Sequence, residues 1–122
     1  MHRRHGNVDL AVRERIARGT VDTEERDDIA GVIIEPTGAS FGGVPVTRDF
    51  VAAVRDATTE NGVLLMFDEV VTGFRVSPGG AQAYYGITPD LTSLAKILSG
   101  GLPGGAVCGR ADILELLDFE IA

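Results

Sequence analysis

Five apolar residues in succession, Val63-Leu64-Leu65-Met66-Phe67, run directly into two carboxylates, Asp68 and Glu69. An uninterrupted apolar run of this length predicts a strand buried on both faces, the kind found in a parallel sheet covered by helices. The charges at its end then sit at the rim of the core. A carboxylate that leaves water there costs several kcal/mol, roughly, unless a cation or hydrogen-bond donors meet it. The rest of the chain therefore has to supply a partner for Asp68.

The flanking sequence extends this strand into a repeating unit. Ala30-Gly31-Val32-Ile33-Ile34-Glu35 reads as a second buried strand, stopped by Pro36. A Gly-rich loop, Thr37 to Pro45, leads to Thr47, a predicted N-cap. Phe50, Ala53, Val54 and Ala57 then fall at helical spacing. Asn61-Gly62 ends that helix just before Val63. Strand, helix, strand is a βαβ unit, and it requires parallel pairing. Beyond it the sequence predicts a short helical piece near 81–85, a strand from Leu91 to Ala95 and another from Ala106 to Gly109. A closing helix is predicted from Asp112. Residues 1–28 read as an N-terminal helix over 8–18 followed by a charged connector, and 29–122 as one α/β unit with a mostly parallel sheet.

Composition narrows the partners. Eleven basic residues against eighteen acidic ones give a net charge of −7, which argues against nucleic acid. A hydrophobic share of 44% supports a globular core. No apolar run approaches the ~20 residues of a bilayer span, so no membrane association is expected. The basic start, Met1-His2-Arg3-Arg4-His5, lacks the apolar stretch of a secretory signal. Cys108 is the sole cysteine, which fits a reducing, cytoplasmic setting, and its apolar neighbours predict a small buried thiol. His2 and His5 have no companion ligands, and no metal site is expected.

In open α/β sheets, ligands bind beyond the carboxyl ends of the strands. Glu35, Asp68 and Lys96, the chain's single lysine, each fall at such an end. Three readings compete for them. Apolar residues followed by Asp-Glu resemble the magnesium-binding strand of P-loop NTPases. That reading needs G-x-x-x-x-G-K-[ST], and Lys96 stands between Ala95 and Ile97. The structural reading makes Asp68 a turn cap, Glu69 a solvent-facing carboxylate and Lys96 a surface residue. Against it, Leu94, Ala95, Ile97 and Leu98 are a poor setting for an idle ammonium group. The third reading is pyridoxal phosphate, which needs a partly desolvated lysine and a carboxylate facing its ring nitrogen.

The runs FDEVVTGFR and GGAQAYYGITPDLTSLAKILSGGLPGGAVCGR resemble the core of class III aminotransferases, which are fold type I enzymes dependent on pyridoxal phosphate. The likeness extends from about Ile29 to Ile113. It is strongest to the branch holding glutamate-1-semialdehyde 2,1-aminomutase and its aminotransferase relatives. The resemblance implies that Lys96 is the Schiff-base lysine and proton-transfer group, that Asp68 faces the pyridinium, and that Val70 packs on one face of the ring. Glu35, in Ile-Ile-Glu-Pro, matches a recurrent family carboxylate whose part is either cofactor contact or a structural hydrogen bond. Glu69 is expected to support the fold, and Thr72-Gly73-Phe74-Arg75 to shape the loop beside the site.

Ser40 occupies the position where the aminomutase carries an asparagine that reaches the cofactor's phenolic oxygen. Ser40 can still donate there, although it is shorter. Val71 stands where many ω-aminotransferases have glutamine. Two activities stay open at this point: exchange of amino and oxo groups within glutamate 1-semialdehyde to give 5-aminolevulinate, or transfer to a separate oxo acid. Both imply small amino-acid or oxo-acid substrates and a homodimeric parent. Family members are far longer, so the resemblance also implies a central fragment of the large domain, lacking the small domain and inactive alone. A truncated, non-catalytic binding module is the alternative of another class.

Overall fold

The computed structural model describes residues 29–38 and 43–117. The expected helix over 8–18, its connector and Ser40 lie outside the described residues. Four strands form one sheet in the order β1 (Gly31–Ile34), β2 (Leu64–Asp68), β3 (Leu91–Leu94), β4 (Ala106–Gly109). β1, β2 and β3 are mutually parallel, and β4 pairs antiparallel with β3. The sheet is therefore mixed and mostly parallel, with helices α1 (Arg48–Glu60), α2 (Gly80–Tyr85) and α3 (Ala111–Leu114) around it. None of the helices among the described residues is long and apolar enough to cross a membrane.

The predicted βαβ unit is β1–α1–β2. Thr47 caps α1, its hydroxyl oxygen accepting the backbone N–H of Phe50 at 3.2 Å. At the other end Asn61 donates its side-chain amide to the Ala57 carbonyl at 2.9 Å, and Gly62 turns the chain at φ 65° toward β2. The buried face of α1 differs from the predicted stripe. Val51, Val54 and Thr58 are buried, whereas Ala53 is exposed. The Thr58 hydroxyl donates back to the Val54 carbonyl at 2.9 Å, so a polar residue enters the core at little cost. Counting only apolar types rotated the expected face.

The core has one side. Val51 and Val54 of α1 pack on Leu65 and Phe67 of β2, with Ile87 completing the cluster. Each such fully buried side chain contributes about 1.5–3 kcal/mol. Along β2 burial alternates: Leu65 and Phe67 are buried, while Leu64, Met66 and Asp68 are half-buried. The expectation of strands buried on both faces is corrected accordingly. α1 covers one face, and no helix among the described residues covers the other. β1 shows the same asymmetry, because Ile33 is 60% exposed on that second face. Cys108 is likewise exposed rather than buried. Every residue of β4 is open, and the thiol donates to the Thr92 carbonyl at 3.7 Å.

Candidate functional site

The parallel register sets the geometry of the carboxyl edge. Ile34 pairs with Phe67 and Asp68 pairs with Ser93. Glu35 thus follows β1 beside Asp68, the last residue of β2. Lys96 comes two residues after the end of β3, the neighbouring strand. The three residues expected to converge stand at the same end of three adjacent strands. Period-two alternation turns Asp68 and Ser93 to the face that α1 leaves open.

Asp68 is half committed. Its Oδ1 accepts the backbone N–H of Val70 at 3.1 Å and the Ser93 hydroxyl at 3.3 Å. Among the described residues, Oδ2 has no hydrogen-bond partner. Ser93 is a contact that sequence reasoning missed. Only strand pairing, which has no local signature, brings it to Asp68. Val70 is half-buried and lends Asp68 its amide. Glu35 is half-buried, and its Oε2 is enclosed without a partner among the described residues.

Lys96 opens a single 3-10 turn, Lys96–Ser99, and adopts φ 51°. A side-chain-bearing residue in the left-handed region costs roughly 1–2 kcal/mol, and such strain clusters where structure serves function. The apolar neighbours argued against an idle surface ammonium, and the cofactor reading asks for a partly desolvated amine. In the described structure Lys96 is exposed, as are Ile97 (46%) and Leu98 (39%).

Glu69, by contrast, is 1% exposed. Its Oε2 accepts the Ala81 N–H at 2.6 Å and the Thr72 hydroxyl at 3.2 Å, so it ties the end of β2 to the start of α2. This is the expected supporting role. Gly73 fits where a Cβ would strike Leu94 and the Glu69 carbonyl, and its N–H donates to that carbonyl at 2.9 Å.

A second carboxylate holds the opposite edge of the sheet. Asp90 accepts Arg55 Nη1 and the Leu65 N–H through Oδ2, both at 2.8 Å, and Arg110 Nη1 through Oδ1 at 3.0 Å. Burial pushes the Asp90 carboxyl up, but the Leu65 amide and the two guanidinium groups outweigh it and hold its pKa below the usual carboxylate range. Arg110 also pairs with Asp112 at 2.6 Å, which raises the pKa of the guanidinium and lowers that of Asp112. The sequence marked Asp90 only as the residue before a strand.

Comparison with known proteins identifies the family. Residues 3–120 match the family described as Aminotransferase class-III. A glutamate-1-semialdehyde 2,1-aminomutase of Natranaerobius thermophilus is 56% identical over 91 residues, covering 75% of this chain and 21% of the relative. That of Aquifex aeolicus is 55% identical over 92 residues, covering 75% and 22%. The chain thus spans about a fifth of the length of these relatives. Among solved structures, the β-phenylalanine aminotransferase of Variovorax paradoxus superposes with a TM-score of 0.71 at 36% identity, over 95% of this chain and 25% of that one. A glutamate-1-semialdehyde aminomutase of Pseudomonas aeruginosa, solved with PMP, gives 0.63 at 30% identity, over 88% and 22%. The chain belongs to the class III aminotransferase family.

Proposed function

We propose that this chain is the central part of the large domain of a pyridoxal phosphate enzyme of the glutamate-1-semialdehyde 2,1-aminomutase type. In this reading residues 29–122 form a partial cofactor-binding domain, and 1–28 the helix and connector that lead into it. The longer protein acts as a cytoplasmic homodimer, and the isolated chain is inactive. The observation that carries the reading is Asp68. A carboxylate with one oxygen anchored and the other unpartnered among the described residues stands on the strand beside the one that leads into Lys96. Identity of 53–56% to aminomutases from several bacteria supports the mutase branch.

The residues present fit the cofactor. Oδ2 of Asp68 would accept a charge-assisted hydrogen bond from the ring nitrogen, while Oδ1 is held by Val70 and Ser93. Val70 would bear on the ring face, and Lys96 would hold the cofactor through Nζ and move the proton at the substrate carbon. Ser40 remains the candidate donor to the phenolic oxygen, and Glu35, with a buried oxygen to satisfy, remains a candidate for cofactor contact or a structural hydrogen bond. When bound, pyridoxal phosphate supplies an electron sink for the pair released at the amine-bearing carbon.

In the full-length protein, glutamate 1-semialdehyde supplied without any oxo acid should be converted to 5-aminolevulinate. An absolute requirement for a separate amino acceptor would remove the mutase reading and leave the aminotransferase one. Ser40, in place of the mutase asparagine, and the higher TM-scores of the transaminase neighbours favour that second reading. Lys96→Ala in the same protein should abolish the yellow, borohydride-reducible adduct. Its persistence would return the chain to the non-catalytic class.

A further inference from the structure

Glu69 is harder to explain than its neighbour. Its carboxylate is fully enclosed, yet among the described residues the groups that meet it are one backbone amide and one hydroxyl, and Oε1 has no partner there. A buried carboxylate held this sparingly is a poor source of stability, because a well-packed apolar residue of similar volume often does as well or better. Its position suggests what it does instead. Glu69 directly follows Asp68 and is fastened at three points. Its N–H donates to the Ser93 carbonyl at 3.0 Å, its carbonyl accepts from Gly73, and its side chain reaches Ala81.

The far anchor is shaped to receive it. Gly80 has φ 67°, and a Cβ there would collide with both Glu69 carboxylate oxygens. The Ser77 hydroxyl donates to the Gly80 carbonyl at 2.7 Å and steadies the approach. The loop between β2 and α2 therefore hangs between two fixed points. Its first amide, Val70 N–H, grips Oδ1 of Asp68.

We propose that Glu69 is a positioning residue: by pinning the β2–α2 loop it holds the Val70 amide on Asp68 Oδ1, and so keeps Oδ2 presented at the carboxyl edge. This rests on the reading of Asp68 as the residue that faces the cofactor nitrogen. Without the anchor, the Val70 amide drifts and the Asp68 carboxylate rotates.

The test uses the full-length protein with Glu69→Leu, Glu69→Gln and Thr72→Val. The readouts are amide exchange at Val70 in the cofactor-free protein, the dissociation constant for pyridoxal phosphate, and the pH at which the bound cofactor changes colour. Glu69→Leu is expected to speed Val70 exchange, weaken cofactor binding about tenfold and shift the colour change. Glu69→Gln retains an acceptor for Ala81 and should stay near wild type. Thr72→Val should move every readout the same way by less, and it decides the matter if Glu69→Leu does not fold. A merely structural Glu69 would lower the melting temperature while leaving Val70 exchange and the colour change where they were, which overturns the proposal. Wild-type protein that binds no cofactor would sink the reading of the site instead, and Val70 exchange would still decide the role of Glu69.

Discussion

Asp68 ends β2 and Asp90 immediately precedes the adjacent strand β3, so the same residue type stands at opposite edges of one sheet, and the structure treats the two differently. Asp90 is saturated: two arginines and a backbone amide meet its oxygens, and its own backbone pairs with Leu65 and Arg110. Asp68 spends one oxygen on its neighbours and keeps the other unpartnered among the described residues. A carboxylate that serves the fold is consumed by it. In the reading proposed above, one that serves chemistry is held in place with capacity to spare. Membership of the family alone would not separate the two, since both lie in its motifs.

The sharpest way to break this comparison is to exchange the consequences. We predict that Asp68→Asn in the full-length protein lowers kcat about 10²–10³-fold. Its stability should change by less than about 0.5 kcal/mol, because the amide oxygen can still accept from Val70. Steady-state kinetics and thermal melts on the same preparation check this, and a variant that melts early while turning over normally would reverse the assignment.

Asp90→Ala should do the opposite. Losing the bonds to Leu65, Arg55 and Arg110 leaves a buried amide and a half-buried guanidinium unsatisfied, at about 2–3 kcal/mol of stability. The kinetics of the protein that remains folded should be intact. The sign of its pH dependence follows from the depressed pKa of Asp90. The stabilisation is complete above the unfolded carboxylate value of about 3.9 and is lost as pH falls through the lower folded value. The melting-temperature gap between wild type and Asp90→Ala should therefore close on acidification below that range. A gap that persists at low pH would mean that shape, not charge, is what Asp90 provides.

The smallest effect guards against reading every polar group near the carboxyl edge as functional. Thr47 begins α1 on that side of the sheet and is spent on the Phe50 amide. Thr47→Ala should cost about 1 kcal/mol in denaturant unfolding and leave turnover unchanged. A kinetic defect larger than the stability loss explains would place Thr47 in the site.

Much of this was legible before the structure. Thr47, Asn61 and Gly62 announced both ends of α1 through local chemistry, and β2 and β4 were placed to within a residue. Asp68, Glu35 and Lys96 were singled out by where strands end. What was not legible needed partners from far along the chain. The apolar run of β2 predicted two covered faces, but whether a second layer exists is not written in the run itself. The apolar setting of Cys108 predicted burial, and the thiol is exposed on β4. Thr58 was passed over as polar, although its hydroxyl is satisfied by its own helix.

Periodicity, caps and turn residues act over a few positions, so the amino-acid order alone settled the strand–helix–strand unit and supplied the residues able to do chemistry. Which carboxylate became a clamp, which became an anchor and which kept an oxygen in reserve was decided by tertiary structure. Arg55, Asp90 and Arg110 meet only once the sheet has formed. Glu69 is buried only when Gly80 arrives beside it. Electrostatic pairing and desolvation depend on distance in space, and separation along the chain does not encode that distance.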